Sequence, residues 1–392
     1  MTGKSPFILP AILVSMVCCI SLWFAGNAVI GDLQTALALS TAHIGLVTSG
    51  VHAGFIGGTL LFSYLAISDR ISARLVYFVC AVLGALFNIL MPAAPGPAML
   101  VALRVLTGVM LAGIYPVGMK IAFSWYPGDI GKILGYLLGA FTIGTALPHL
   151  LKTAGALPDY RLTLTAVSLL AVAGGAIMLL FVPLGPHLPV RSKLIGGAIS
   201  RIFKNQNIRP AALSYFGHMW ELYAFWAFVP LYMIAFSRSK NLGFDIHLWS
   251  FLIIAAGSLG CIVGGLYAAR FGSVRVACSH LAVSGLCCLM SPLLINETVP
   301  PVFFLLYLII WGITVVGDSP QFSALIARKA EPELVGSTLT FVNCIGFFIS
   351  IISIELISGM HRIIGMQYIF LLLAPGPIFG LAALWRPAFK TV

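Results

Sequence analysis

Long apolar stretches, each interrupted by charged residues, Pro or Gly, follow one another along almost the whole chain. In order they cover 8–30, 42–67, 75–93, 97–124, 133–151 and 161–184, then 210–236, 247–269, 276–295, 301–327, 337–359 and 365–385. A membrane-crossing helix needs about 20 mostly apolar residues to pass ~30 Å of hydrocarbon, and these stretches have that scale. The ~10-residue alternating segments of a membrane barrel are not the pattern here. Lipid cannot satisfy free backbone polar groups, so each stretch is expected to be a helix. The expected fold class is an all-α polytopic membrane protein, with twelve transmembrane helices arranged as two pseudo-symmetric six-helix bundles.

Composition agrees. Of 392 residues, 60% are apolar and 8% charged, against roughly 25% charged in soluble domains. A water-soluble domain of this size is excluded. The net charge of +11 would suit nucleic acid only if the basic residues formed one patch on a folded surface. They lie instead in short connectors, and no nucleic-acid partner is expected. Counting from the N-terminus, alternate connectors hold 16 of the 22 Lys and Arg, the remaining connectors hold 5, and Arg104 lies inside a span. The positive-inside rule then places both termini in the cytoplasm. The eight cysteines all fall in apolar stretches and read as small buried side chains. The first stretch is longer than a signal-peptide core and is taken as a span.

The longest connector, 185–208, begins with Pro186 and Pro189 and is rich in Lys and Arg. It divides the chain into a first bundle, 1–184, a cytoplasmic linker, 185–208, and a second bundle, 209–392. From Lys193 to Lys204 basic and apolar residues alternate at helical spacing. This segment is either a helix lying on the anionic inner leaflet or a tether held there by charge. The halves also echo one another. Span two carries Gly54, Gly57 and Gly58 and ends at Asp69-Arg70, while span eight carries Gly260, Gly264 and Gly265 and ends at Ala269-Arg270. Parallel repeats of this kind place a binding site at mid-depth between them.

These residues resemble the major facilitator superfamily. Its loop between spans two and three, G-x-x-x-D-R-x-G-R, is met by Leu65-Ala-Ile-Ser-Asp69-Arg70-Ile-Ser-Ala-Arg74, which keeps the Asp-Arg pair, lacks the glycines and shifts the last Arg by one place. The second-half counterpart, Gly265-Leu-Tyr-Ala-Ala-Arg270-Phe-Gly272-Ser-Val-Arg275, keeps glycines but has Ala269 in place of Asp. The resemblance makes Asp69, Arg70, Arg74, Arg270 and Arg275 gating residues of the cytoplasmic loops. The span-four pattern R-x-x-x-G matches Arg104-Val-Leu-Thr-Gly108. The span-five pattern of antiporters, G-x-x-x-G-P-x-x-G-G, is matched poorly by Gly135-Tyr-Leu-Leu-Gly139-Ala140, with Pro148 displaced. In the resembled fold, spans one, four, seven and ten line a central cavity.

An ionisable group in hydrocarbon costs on the order of 3 kcal/mol even on lenient scales and calls for a reason. By helical rise, Glu221 is roughly 18 Å and Asp318 roughly 15 Å from the inner face, and Arg104 roughly 10 Å from the outer one. Together with Asn27, they put one polar residue on each of spans one, four, seven and ten. His218 and Glu221 are three apart and share a helix face, where imidazole and carboxylate could hold or pass a proton. Glu221 is either this proton site or a protonated acid hydrogen-bonded within its bundle. Pro320, beside Asp318, removes a backbone bond and predicts a kink near Gly317 that serves as a ligand site, a hinge or a purely structural bend. Arg104 could neutralise an acid, bind an anion or modulate the proton site. Proton coupling is thus assigned to Glu221, Asp318, Arg104 and His218. Lys120 is expected to snorkel toward the inner face. The aromatics Trp23, Tyr115, Trp220, Tyr223 and Trp226, with Asn27 and Gln321, are the candidate lining of a solute cavity.

No G-x-S-x-G, H-E-x-x-H, C-x-x-C or P-loop is present, so neither a catalytic site nor an ATP motor is expected. No metal or cofactor is expected. The expected function is proton-coupled transport of a small solute by alternating access, leaning to uptake by symport. The rival is export of a metabolite or drug by antiport, and more remotely a transport-dead sensor or an intramembrane enzyme. Expected partners are the solute, protons and membrane lipid. A monomer in a bacterial inner membrane is expected.

Overall fold

The computed structural model describes residues 6–40, 42–128, 130–153, 159–187, 202–331 and 334–389. The chain divides into two compact units, Met1–Gly196 and Gly197–Val392. The surface helix or tether expected over 193–204 falls mostly outside the described residues.

Ten helices among the described residues are long and apolar enough to cross a membrane. They are spans two to eleven, running Ala42–Leu65, Ala73–Ile89, Pro97–Trp125, Ile130–Leu151, Tyr160–Phe181, Arg209–Ser239, Ile246–Phe271, Ser273–Leu294, Pro301–Lys329 and Val335–Ile364. The other two apolar stretches are built in pieces. Span one is helical over Ile8–Ile20, passes through turns at 21–24, and resumes as Ala25–Ala28 and Ile30–Ala36. Span twelve starts as a 3-10 turn, Ile369–Leu373, and continues as Pro375–Phe389. Pro375 and Pro377 have no N–H to continue the first turn, which accounts for that break.

Each unit packs by the same scheme. In the first, span two lies on span four, span three on span six, and span one on spans five and six. In the second, span eight lies on span ten, span nine on span twelve, and span seven on spans eleven and twelve. Glycines set the closest crossings. A methyl group at Gly54 would sit 1.9 Å from the Val105 carbonyl oxygen, and one at Gly108 would sit 2.1 Å from that of Val51. In the second unit, the corresponding distances are 2.0 Å from Gly260 to Ile313 and 2.0 Å from Gly312 to Ile253. Small residues permit this backbone approach, and van der Waals packing is the main attraction between helices in lipid. The glycine echo in the sequence is therefore a pair of equivalent helix crossings.

The fourth span of each repeat is broken at equivalent places. Span four is helical over Pro97–Ala112 and again over Tyr115–Trp125, with Pro116 in the first turn of the second piece. Span ten is helical over Pro301–Gly317 and again over Ser319–Lys329, with Pro320 in the same position. The kink expected near Gly317 is present, and span four has its twin.

Candidate functional site

In the first unit, the break in span one is where the polar groups gather. Arg104 is fully buried. Its guanidinium donates to the carbonyls of Leu22 at 3.1 Å and Val47 at 3.4 Å, and also to that of Trp23. Turns at 21–24 leave carbonyls without helical partners, and a fork of five N–H donors is suited to collect them. The guanidinium of Arg104 is thus taken up by backbone carbonyls of its own unit. Trp23 donates from its indole to His52 Nε2 at 3.2 Å and packs against Phe55 and Phe141. Tyr115 closes the same cluster by an edge contact with Phe141. Asn27 donates to Thr48 Oγ1 at 2.7 Å. Trp23, Asn27 and Tyr115 are thus all buried in the first unit, with His52 and Thr48 as hydrogen-bond partners of the first two.

In the second unit, span seven presents two ionisable residues to different neighbours. His218 Nδ1 lies 2.9 Å from Asp318 Oδ1, and both side chains are 1% exposed. Tyr215 and Phe322 flank the imidazole, each with its ring centre 5.8 Å away. Glu221 is held elsewhere. Its Oε1 accepts from Trp311 Nε1 at 2.6 Å and from Cys288 Sγ at 3.3 Å, and its Oε2 accepts from Ser284 Oγ at 3.0 Å. The imidazole and carboxylate that share a helix face are therefore not each other's partners: His218 pairs with Asp318, and Glu221 is gripped by spans nine and ten. Three donors on two oxygens satisfy a buried carboxylate. A proton arriving on Oε2 could be accommodated by rotation of the Ser284 hydroxyl, which already lies 3.4 Å from the Leu281 carbonyl.

Asp318 occupies the break itself. Pro320 cannot donate to the carbonyl four residues back, that of Val316, and the Cys261 thiol lies 3.5 Å from it instead. His280 of span nine packs on the other side, since a methyl at Gly317 would fall 2.2 Å from His280 Cε1. His218, Asp318 and His280 thus meet where span ten is interrupted. Gln321, in the first turn of the second piece, is buried and donates its backbone N–H to the Asp318 carbonyl at 2.9 Å. No group of His, Cys, Asp and Glu able to hold a metal occurs among the described residues.

The proposed aromatic lining separates. Trp220 donates to the Leu372 carbonyl at 2.9 Å and covers Gly376, so it fastens span seven to the break in span twelve. Tyr223 and Trp226 meet edge to face at 5.4 Å, with Phe347 of span eleven against Tyr223.

The loop residues also differ from one another. At the end of span two, Ala66 takes a left-handed conformation (φ 49°) and the chain turns into a short helix, Ile67–Arg70. There Asp69 forms an ion pair with Lys120 of span four, whose ammonium also donates to the Ser68 carbonyl at 2.8 Å. Lys120 thus ties the loop to the inner end of span four. Arg74 donates to the Leu179 and Val182 carbonyls at 3.3 and 3.4 Å, joining span three to span six. Arg70 and Arg275 are exposed, and Arg270 lies over the Phe271 ring.

Twelve apolar helical segments in two like-built units, with deep ionisable residues at broken helices, define a membrane transporter. The chain belongs to the Major Facilitator Superfamily, whose family model matches residues 11–354. Among solved structures it is similar to the nucleoside transporter NupG in a mutant form, with a TM-score of 0.73, 15% identity, and coverage of 97% of this chain and 99% of that one. It is also similar to the human organic anion transporter MFSD10, with a TM-score of 0.69, 14% identity, and coverage of 97% and 100%. At such identities the likeness is one of fold. YaaU of Escherichia coli (strain K12), whose name assigns it provisionally to metabolite transport, is 28% identical over 125 residues, and the match covers 27% of this chain. That match spans 28% of the relative's length.

Proposed function

We propose that this integral membrane transporter moves its small solute by alternating access coupled to protons, with the His218–Asp318 pair and Glu221 as the proton-carrying groups. The observation that supports this most directly is the buried imidazole–carboxylate contact of 2.9 Å at the interruption of span ten. Two ionisable groups sealed from water and placed at a hinge can exchange a proton as the hinge moves, because any change in their separation changes the stability of the charged pair. Glu221, one turn along span seven, supplies a second carboxylate whose Ser284 contact can reverse direction on protonation. Arg104 acts as a positioning residue that holds the interrupted span one around Asn27, Trp23 and Tyr115, the solute-contacting groups of the first unit. Tyr223, Trp226 and Gln321 are their counterparts in the second.

We assign uptake by symport as the direction, on the weak match of span five to the antiporter pattern. The segment 185–208 serves as a cytoplasmic linker between the two bundles, both termini are cytoplasmic, and the setting is a bacterial inner membrane. The solute leaves chemically unchanged, and the working unit is a monomer.

The test is reconstitution of the purified chain in proteoliposomes, with a pH-sensitive dye inside and a panel of small metabolites outside. A transported solute should acidify the lumen when the wild type is present, and the coupled signal should fall at least tenfold in Asp318→Asn and Glu221→Gln while solute binding persists. Full coupled flux in both variants would remove the proton assignment. Solute-dependent alkalinisation of the lumen would reverse the direction.

A further inference from the structure

Spans eight and nine of the second unit enclose a groove of about 590 Å³, lined on the span-nine side by Val276, Ser279 and His280. One wall is the stripe Leu259, Val263, Tyr267 and Phe271, four residues apart along span eight and between 43% and 56% exposed. Gly260 and Gly264 line the floor, and Ile313 of span ten lies against Gly260. From Leu259 to Phe271 the groove runs twelve residues, roughly 18 Å by helical rise. That is close to one leaflet of a hydrocarbon core ~30 Å thick. At its other end, where Gly272 turns the chain from span eight into span nine, Arg275 lines the mouth and Arg270 lies beside it over the Phe271 ring at 5.4 Å. No carboxylate lines the groove, and none pairs with Arg275 among the described residues.

We infer that this groove binds one anionic glycerophospholipid, with an acyl chain along Leu259, Val263 and Tyr267 and the phosphate at Arg275 and Arg270. An apolar slot one leaflet long asks for an acyl chain. A guanidinium without a counter-ion among the described residues, at the level where that chain would end, asks for the phosphate. Tyr267 and Phe271 between them are the amphipathic and aromatic groups that favour the interfacial layer. A zwitterionic lipid would fill the slot but offer Arg275 no net charge, so the site distinguishes head groups.

The test uses the full-length chain purified in a neutral detergent, with phosphatidylglycerol, phosphatidylcholine or inorganic phosphate added. Native mass spectrometry should show phosphatidylglycerol retained at least threefold more than phosphatidylcholine, and thermal unfolding should rise by several degrees with phosphatidylglycerol alone. Arg275→Gln should abolish the head-group preference, and Val263→Trp, which fills the slot, should reduce retention of both lipids. Both positions are exposed, so neither change disturbs a packed core; if Val263→Trp fails to fold, Leu259→Trp replaces it. Equal retention of the two lipids by the wild type, or an undiminished preference in Arg275→Gln, would overturn the inference. So would phosphate alone reproducing the stabilisation, since that identifies an anion site with no use for the groove.

Discussion

Trp311 on span ten donates its indole N–H to Glu221 on span seven at 2.6 Å, and this contact joins the only wholly buried glutamate of the described residues to the helix that carries Asp318. Phe225 stacks on the same indole with ring centres 4.4 Å apart, so the donor cannot turn away without breaking the stack. Glu221 is therefore placed by packing as well as by hydrogen bonding.

Trp311→Phe keeps the stack and removes the donor. A buried carboxylate that loses one charge-assisted bond should cost about 2 kcal/mol, seen as earlier unfolding in a thermal-shift assay. In Glu221→Gln the same substitution should cost less than half as much, because the neutral acceptor loses a weaker bond.

His218 and Asp318 should behave as a unit. The single changes His218→Gln and Asp318→Asn and their combination form a double-mutant cycle, with an expected coupling of about 1–3 kcal/mol in unfolding. Additive effects would show that the 2.9 Å contact contributes nothing in the membrane.

Arg104→Lys retains the charge but replaces a planar fork by a single ammonium. Of the three carbonyls now served, on Leu22, Trp23 and Val47, at least one should lose its donor. The expected cost is about 2–3 kcal/mol, and hydrogen exchange of the amides around 21–28 should quicken selectively.

The glycine crossings predict a sharper contrast. Gly108→Ala and Gly312→Ala would drive a methyl into backbone carbonyls at 2.1 and 2.0 Å, and backbone cannot rotate aside as a side chain can. Each should reduce the yield of folded, monodisperse protein severalfold. Gly57→Ala, with open space around it, should fold like the wild type.

Lys120 and Asp69 are both partly exposed, at 18% and 13% of their side chains. Lys120→Met should cost under about 1 kcal/mol in stability yet change the rate of solute exchange, if the tie between the loop and span four must open in each cycle. The exchanged pair Asp69→Lys with Lys120→Asp should recover more of the rate than either change alone.

What the sequence made legible was set by local chemistry. The spans could be read because hydrocarbon imposes one length and one secondary structure, and Pro320 next to Gly317 announced the break in span ten. The same signal, Gly113 followed by Pro116, announces the break in span four and went unread because no charged residue lies beside it. Partner choice was illegible. His218 and Glu221 are three residues apart and share a face, but whether each meets the other or a residue about a hundred positions away depends on where spans nine and ten pack. The partners of Lys120 and Arg104 were hidden for the same reason: each side chain is long enough to reach past its own helix to carbonyls whose exposure no periodicity reports.

The anchoring of Arg104 on backbone carbonyls has a further consequence. A guanidinium occupied by the carbonyls of Leu22, Trp23 and Val47 works as a clamp that ties the interrupted span one and span two to span four. The two units are thus alike as scaffolds, with the same helix crossings and a broken fourth span in each, and they differ in the side chains set at those breaks.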